Sequence, residues 1–220
     1  MSTATSDKPR QWPPRLRKGE DPNSPIPTPF YVLVDTAEQL PYSFQGVRSN
    51  PSEGSRLIDV QTIRHGLARL GGGDYSVAGL EHLVVVERKS KSDLYGSVAR
   101  RANFEQRLHG MSTRELAAVV VEAEYSDCIL NPPPHSSLSP RSLARTLLAW
   151  SQRFPRVHWW FIPGRPAAEG FTYRYLERAW LDQWPGEWAD VETWLEAHPE
   201  EPPPSPAAPA ESGGGPPDAS

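Results

Sequence analysis

Residues 73–89 read Gly73-Asp74-Tyr75-Ser76-Val77-Ala78-Gly79-Leu80-Glu81-His82-Leu83-Val84-Val85-Val86-Glu87-Arg88-Lys89. Two β-prone runs, Asp74–Val77 and Leu83–Glu87, flank the short connection Ala78-Gly79-Leu80-Glu81, a pattern that predicts a hairpin. A turn centred between Leu80 and Glu81 pairs Val77 with Val84, Ser76 with Val85, Tyr75 with Val86 and Asp74 with Glu87. Two carboxylates facing each other across a sheet have Cβ atoms about 4.5–5.5 Å apart, and like charges at that spacing are destabilising. Such a pair needs a countercharge. Mg²⁺ or Mn²⁺, which prefer oxygen ligands, would supply it. Period-two alternation puts Lys89 on the face of Glu87 and Arg88 on the other. Two carboxylates and an ammonium around one ion suit phosphodiester hydrolysis: the ion polarises a phosphoryl oxygen and acidifies a water, while Lys89 orients that water or offsets charge in the transition state. Asp35 approaches from its own strand end as an outer ligand. The plainer alternative has Asp74 capping a turn with Glu87 and Lys89 facing solvent, and a one-residue slip in register would undo the pairing.

Working outward, Tyr31-Val32-Leu33-Val34-Asp35 is an apolar run ending in an acid, the pattern of a buried strand that delivers Asp35 to its tip. Pro41–Phe44 reads as a short extended piece and residues 46–56 as a loop. Residues 59–70 carry both a strand signal at Val60 and Thr62 and helical spacing at Ile63, Leu67 and Leu70. After the hairpin, the pattern predicts a helix over 92–108 capped by Ser92 or Asp93, a strand over 117–121 and a helix opened by Ser139-Pro140. A strand over 157–162 and a helix over 167–184 follow. The expected fold is α/β, a mixed central sheet flanked by helices on both faces.

The ends differ in composition. Of 25 prolines in 220 residues, seven lie in 1–29 and eight in 199–220. Residues 186–220 hold eight acidic side chains and no Lys or Arg, so the overall charge of −4 conceals a mildly basic body. The expected organisation is a disordered segment over 1–29, a folded domain over 30–184 and an acidic, proline-rich tail over 185–220 with a short helix about 188–198. No apolar run has the ~18 residues of a membrane span and no signal segment follows Met1, so the expectation is an intracellular protein, cytoplasmic or nucleoid-associated and not secreted. Cys128 is the lone cysteine, which excludes an internal disulfide or a multi-cysteine zinc site; its apolar neighbours Ile129 and Leu130 predict burial. The six histidines show no metal-ligand spacing. Gly71-Gly72-Gly73 lacks the Lys-Ser/Thr of a phosphate-binding loop, so no nucleotide cofactor is expected.

Gly73-Asp74-Tyr75-Ser76 followed by Val86-Glu87-Arg88-Lys89-Ser90-Lys91-Ser92-Asp93 resembles the signature of the XPF-type nuclease domain: Gly-Asp, a spacer, Glu-Arg-Lys, three residues, Asp. Asp35-Thr36-Ala37-Glu38 resembles the Asp-x-Arg-Glu segment at the start of that domain, and the similarity runs over about residues 30–182. The resemblance implies a restriction-endonuclease-like core and a DNA endonuclease dependent on Mg²⁺ or Mn²⁺, acting near branched DNA in repair or recombination. By position it implies Asp74 and Glu87 as metal ligands, Lys89 as catalytic, Arg88 and Asp93 as members of the catalytic motif, and Asp35 and Glu38 at its edge. Family members pair through this domain, which implies a homodimer or heterodimer. Two departures stand out. Ala37 occupies the usual arginine position, and an acidic tail stands where many relatives carry helix-hairpin-helix modules.

Residues 87–107 hold six basic and three acidic side chains, which predicts a DNA-phosphate track through Lys91, Arg100, Arg101 and Arg107. Arg141, Arg145, Arg153 and Arg156 form a weaker second patch. Trp184, Trp188 and Trp194 fall in the last helical stretch, where they fit a dimer interface. The competing reading is a non-catalytic DNA-binding scaffold subunit that serves a partner nuclease. A sequence-specific restriction enzyme is a third, since the fold permits it.

Overall fold

The computed structural model describes residues 12, 13, 16, 18–49, 55–67, 71–134 and 136–183. The expected tail over 185–220, its helix about 188–198 and Trp184, Trp188 and Trp194 lie outside the described residues, as do residues 1–11. The strands are β1 (Ile26–Pro27), β2 (Val32–Asp35), β3 (Ile58–Asp59), β4 (Thr62–His65), β5 (Tyr75–Val77), β6 (Val84–Lys89), β7 (Leu116–Val121) and β8 (Val157–Phe161). The helices are α1 (Lys91–Ala99), α2 (Arg101–Met111), α3 (Tyr125–Leu130), α4 (Pro140–Arg153) and α5 (Arg165–Gln183).

Six strands form one mixed sheet in the order β4-β2-β5-β6-β7-β8, while β1 and β3 pair separately in parallel. Within the six-stranded sheet β5 alone runs against the others. The carboxyl ends of β2, β6 and β7 and the start of β5 therefore share one edge. Sequence explains the centre. The five residues of β7 from Ala117 to Val121 are all buried because helices cover both faces, which calls for a continuous apolar run rather than alternation. Val84, Val86, Ala118 and Val120 pack towards α5 through Ala168, Tyr173, Leu176 and Trp180. Val85, Ala117, Val119 and Val121 pack the other way, on Leu94, Val98, Phe104, Leu108, Leu143 and Trp150 of α1, α2 and α4. The α/β architecture with helices on both faces is as expected. Among the described residues no helix is long and apolar enough to cross a membrane.

Several local expectations change. The ambiguous stretch over 59–70 supplies strand in its described part, up to residue 67: β4 adds to β2 as an edge strand with all four residues exposed, Ile63 among them, while Leu67 is buried. Pro41–Phe44 forms no strand; Tyr42 and Phe44 instead insert into the core, stacking or edging against Tyr75. The single helix expected over 92–108 is two, broken at Arg100 (φ −103°, ψ 48°). Its cap is Ser90, whose side chain accepts the Asp93 N–H and donates to Asp93 Oδ2 at 2.7 Å. Order also extends upstream of residue 30: Ile26–Pro27 pairs with β3, and the buried Trp12 indole donates to Glu177 Oε1 at 2.9 Å. Apolar burial by Trp12 and the hydrogen bonds of β1 override the proline-rich composition there.

Candidate active site at the carboxyl edge of the sheet

Tyr75 pairs with Val86, the register read from the hairpin. Asp74 departs from simple opposition. β5 begins one residue after it, its N–H donates to the Val86 carbonyl at 2.8 Å, and its Oδ2 accepts the Arg88 N–H at 2.7 Å. The side chain thus takes over a ladder hydrogen bond, and this local break aims the carboxylate into the cleft. Gly73 makes the approach feasible: at φ +102°, a Cβ there would stand 2.0 Å from Val85 Cγ2. On the other side of β5, the Asp35 N–H donates to the Asp74 carbonyl at 2.8 Å. Asp35, Asp74 and Glu87 consequently stand side by side at the edge of three adjacent strands, Asp74 just before β5.

These residues line a cleft of about 310 Å³ together with Ala37, Glu38, Gln39, Leu40, Arg88, Lys89, Asp93 and Arg107. Glu87 is fully buried and carries two cations: Lys89 Nζ at 2.7 Å from Oε1, and Arg107 Nη1 at 2.8 Å from both oxygens. The same Arg107 nitrogen is 3.7 Å from Asp74 Oδ1. Lys89 Nζ also lies 4.7 Å from the centre of the Phe104 ring. Burial raises the Asp74 pKa well above the usual carboxylate range, and the neighbouring Glu87 charge adds to this; the Arg88 N–H and the Arg107 charge act in the opposite sense. The Glu87 charge in turn raises the Arg107 pKa against the effect of burial.

Among the described residues no three His, Cys, Asp or Glu side chains converge as a ready cage for an ion. Asp35 is aligned with the pair, but its Oδ1 accepts the Ala37 N–H at 2.8 Å and closes the turn after β2. The donor chemistry nonetheless suits a small hard cation. Asp74 and Glu87 offer carboxylate oxygens only, in a buried like-charged pair that already attracts a shared cation.

The other residues expected at the site divide. The Arg88 guanidinium turns to the α5 side, where Nε and Nη2 donate to Glu122 at 2.8 and 3.1 Å and Nη1 meets Glu38 Oε1 at 3.5 Å. Burial lowers its pKa, and the Glu122 carboxylate more than restores it. Glu38 thereby belongs to an ion-pair cluster at the rim. Arg165 completes that cluster, donating to Glu122 Oε1 at 3.1 Å and to the carbonyls of Leu40 and Pro41, with its guanidinium 4.9 Å from the Tyr42 ring centre. Asp93 reaches the cleft wall while held by the Ser90 cap.

The four cations of the expected DNA track do not form one row. Lys91 pairs with Asp127 at 2.7 Å, Arg101 donates to Thr146 Oγ1, Arg100 is exposed at the break between α1 and α2, and Arg107 turns inward. Sequence reasoning missed Glu122, Arg165 and the inward role of Arg107. Glu122 was findable: it follows the buried strand 117–121 just as Glu87 ends its own apolar run.

No family model matches the chain, and no curated protein matches it. Two solved structures of XPF from Aeropyrum pernix are similar to it, both with a TM-score of 0.47 over 78% of this chain. One is 23% identical over 75% of its own length; the other, a complex with DNA, is 20% identical over 82%. At that overlap the similarity is one of outline, and the reading of the cleft rests on its own residues.

Proposed function

We propose that this chain is a divalent-metal-dependent DNA endonuclease with a restriction-endonuclease-like core, cutting phosphodiester bonds at the Asp74–Glu87 cleft. The observation that carries the reading is the buried carboxylate pair beside an ammonium: Glu87 fully buried, Asp74 nearly so, and Lys89 Nζ 2.7 Å from Glu87. A fold maintains such a pair at a cost in desolvation and repulsion, which marks a site kept for chemistry rather than for stability. Asp74 and Glu87 would hold Mg²⁺ or Mn²⁺, with Asp35 as an outer contributor. When bound, the ion supplies electrostatic stabilisation of the negative charge at the phosphoryl group. Lys89 is held beside Glu87 by that carboxylate and the Phe104 ring, so its ammonium has a fixed position from which to orient a water or face a phosphate oxygen. Arg88 acts through its backbone N–H, which orients Asp74, and through its guanidinium, which fixes the end of β6. Asp93 supports the start of α1. Lys91, Arg100 and Arg101 are the proposed contacts for DNA phosphates. Branched DNA, in repair or recombination, is the proposed substrate class.

One observation favours the scaffold reading. Arg107 places its guanidinium on both Glu87 oxygens, the arrangement of a neutralised site. Nicking of labelled duplex, flap and fork DNA with Mg²⁺ or Mn²⁺ by wild type and Glu87→Ala separates the two. Metal-dependent cutting that vanishes in the variant is expected, with forks and flaps preferred over duplex. No cutting by wild type, alongside DNA binding equal in both proteins, would establish the scaffold.

A further inference from the structure

We propose that Arg107 is a displaceable counter-ion of the carboxylate pair: it occupies the place of the divalent cation in the metal-free protein and competes with it for Glu87. The inference rests on the metal-dependent reading above and deepens it into a control on metal loading. Three observations carry it.

First, one nitrogen serves both acids. Arg107 Nη1 lies 2.8 Å from each Glu87 oxygen and 3.7 Å from Asp74 Oδ1, the position that a cation shared by the two must take. Both cannot hold Glu87 by the same oxygens.

Second, of the two cations on Glu87 only Arg107 has a way out. The Lys89 side chain is 12% exposed, packed between Glu87 and the Phe104 ring, whereas the Arg107 side chain is 41% exposed and enters the cleft from solvent. Its helix cannot follow it out, because Phe104, Leu108 and Met111 anchor α2 in the core. Movement is confined to the side chain, and rotamer changes in an exposed residue are fast.

Third, the backbone beside its stem carries no side chain. Gly72, at φ +95°, lies where a Cβ would stand 3.0 Å from Arg107 Cγ. A Cβ on Gly110 would meet the Gly71 carbonyl oxygen at 2.1 Å, so α2 lies directly on the triple-glycine turn. Gly71-Gly72-Gly73 thus lets α2 lie close against this turn and leaves bare backbone beside the Arg107 stem.

The test is Mn²⁺ titration of the full chain without DNA, followed by electron paramagnetic resonance, for wild type, Arg107→Gln, Arg107→Lys and Glu87→Gln. Arg107→Gln is expected to bind Mn²⁺ about tenfold more tightly than wild type, a difference of about 1.4 kcal/mol. Arg107→Lys, which keeps the charge but not the two-oxygen contact, is expected to fall between them and serves as the decisive variant if the glutamine protein does not fold. Melting supplies a second readout: Mn²⁺ should raise the melting temperature of Arg107→Gln by more than that of wild type. Equal or weaker Mn²⁺ binding by folded Arg107 variants, with wild type binding and Glu87→Gln not, would overturn the counter-ion and leave the metal site standing. Absence of Mn²⁺ binding in every folded protein would overturn the metal site itself, and the counter-ion with it.

Discussion

Glu87 and Arg88 are neighbours at the end of one strand, yet their side chains serve opposite ends. Arg88 faces α5 and finds what a buried cation requires: Glu122 on two nitrogens, Glu38 on the third and an aromatic ring alongside. Glu87 faces α1 and α2 and finds a second carboxylate as well as cations, so its neighbourhood carries unresolved repulsion that shows in the raised pKa of Asp74. Both clusters set two carboxylates against two cations, but only the Arg88 cluster is held by cations that are all tied to the surrounding fold; Arg107, on the other side, reaches Glu87 from solvent. A motif of three adjacent letters, Glu-Arg-Lys, therefore joins a structural clamp and the candidate site through period-two alternation.

Substitutions can break or sharpen this contrast. The largest effect is expected at Glu87→Gln, which should reduce metal-dependent nicking to background while the protein still melts cooperatively; activity retained there would place the chemistry elsewhere. Next comes Arg88→Ala, which takes the cation from the nearly buried Glu38, leaves Glu122 with Arg165 alone and should cost about 3 kcal/mol in denaturant unfolding. A loss below about 1 kcal/mol would show that the Arg88 cluster is no clamp. Asp74→Asn should act in the reverse direction, stabilising the metal-free protein by about 1 kcal/mol at neutral pH. The sign follows from linkage: the folded state raises the Asp74 pKa, so it holds that proton more tightly than the unfolded chain does. This group favours folding at pH below the ordinary carboxylate range and opposes it once pH rises through the raised value. Melting of wild type and Asp74→Asn across pH should therefore converge in acid and diverge towards neutrality. The smallest effect belongs to the exposed Arg153–Glu105 pair, where Arg153→Ala should change stability by no more than about 0.5 kcal/mol.

Much of this was legible in the sequence because it depends on short-range periodicity. Tyr75 opposite Val86, the buried runs of β2 and β7 and the cap and proline that open α4 all follow from pattern. The carboxylate pair was legible too, though not the departure at Asp74, since which hydrogen bond a side chain takes over depends on the Gly73 approach to Val85. What failed was long-range. Arg107 counted as one more cation on a helix face, and only the packing of α2 on the glycine turn reveals that it faces inward. Glu122 and Arg165 lie 34 and 77 residues from Arg88, and spacing along the chain carries no trace of their meeting. The helix over 92–108 read as continuous because nothing in the apolar period marks the change at Arg100.

The central claim is that Asp74 and Glu87 form one metal site from which Arg107 withdraws. Crystals of the wild-type protein soaked in Mn²⁺, measured for anomalous scattering, address it directly. The account predicts a strong peak between the two carboxylates, within about 2.2 Å of an oxygen from each, with the Arg107 guanidinium moved off Glu87. No peak at the pair at saturating Mn²⁺, with Arg107 still bonded to both Glu87 oxygens, would contradict it.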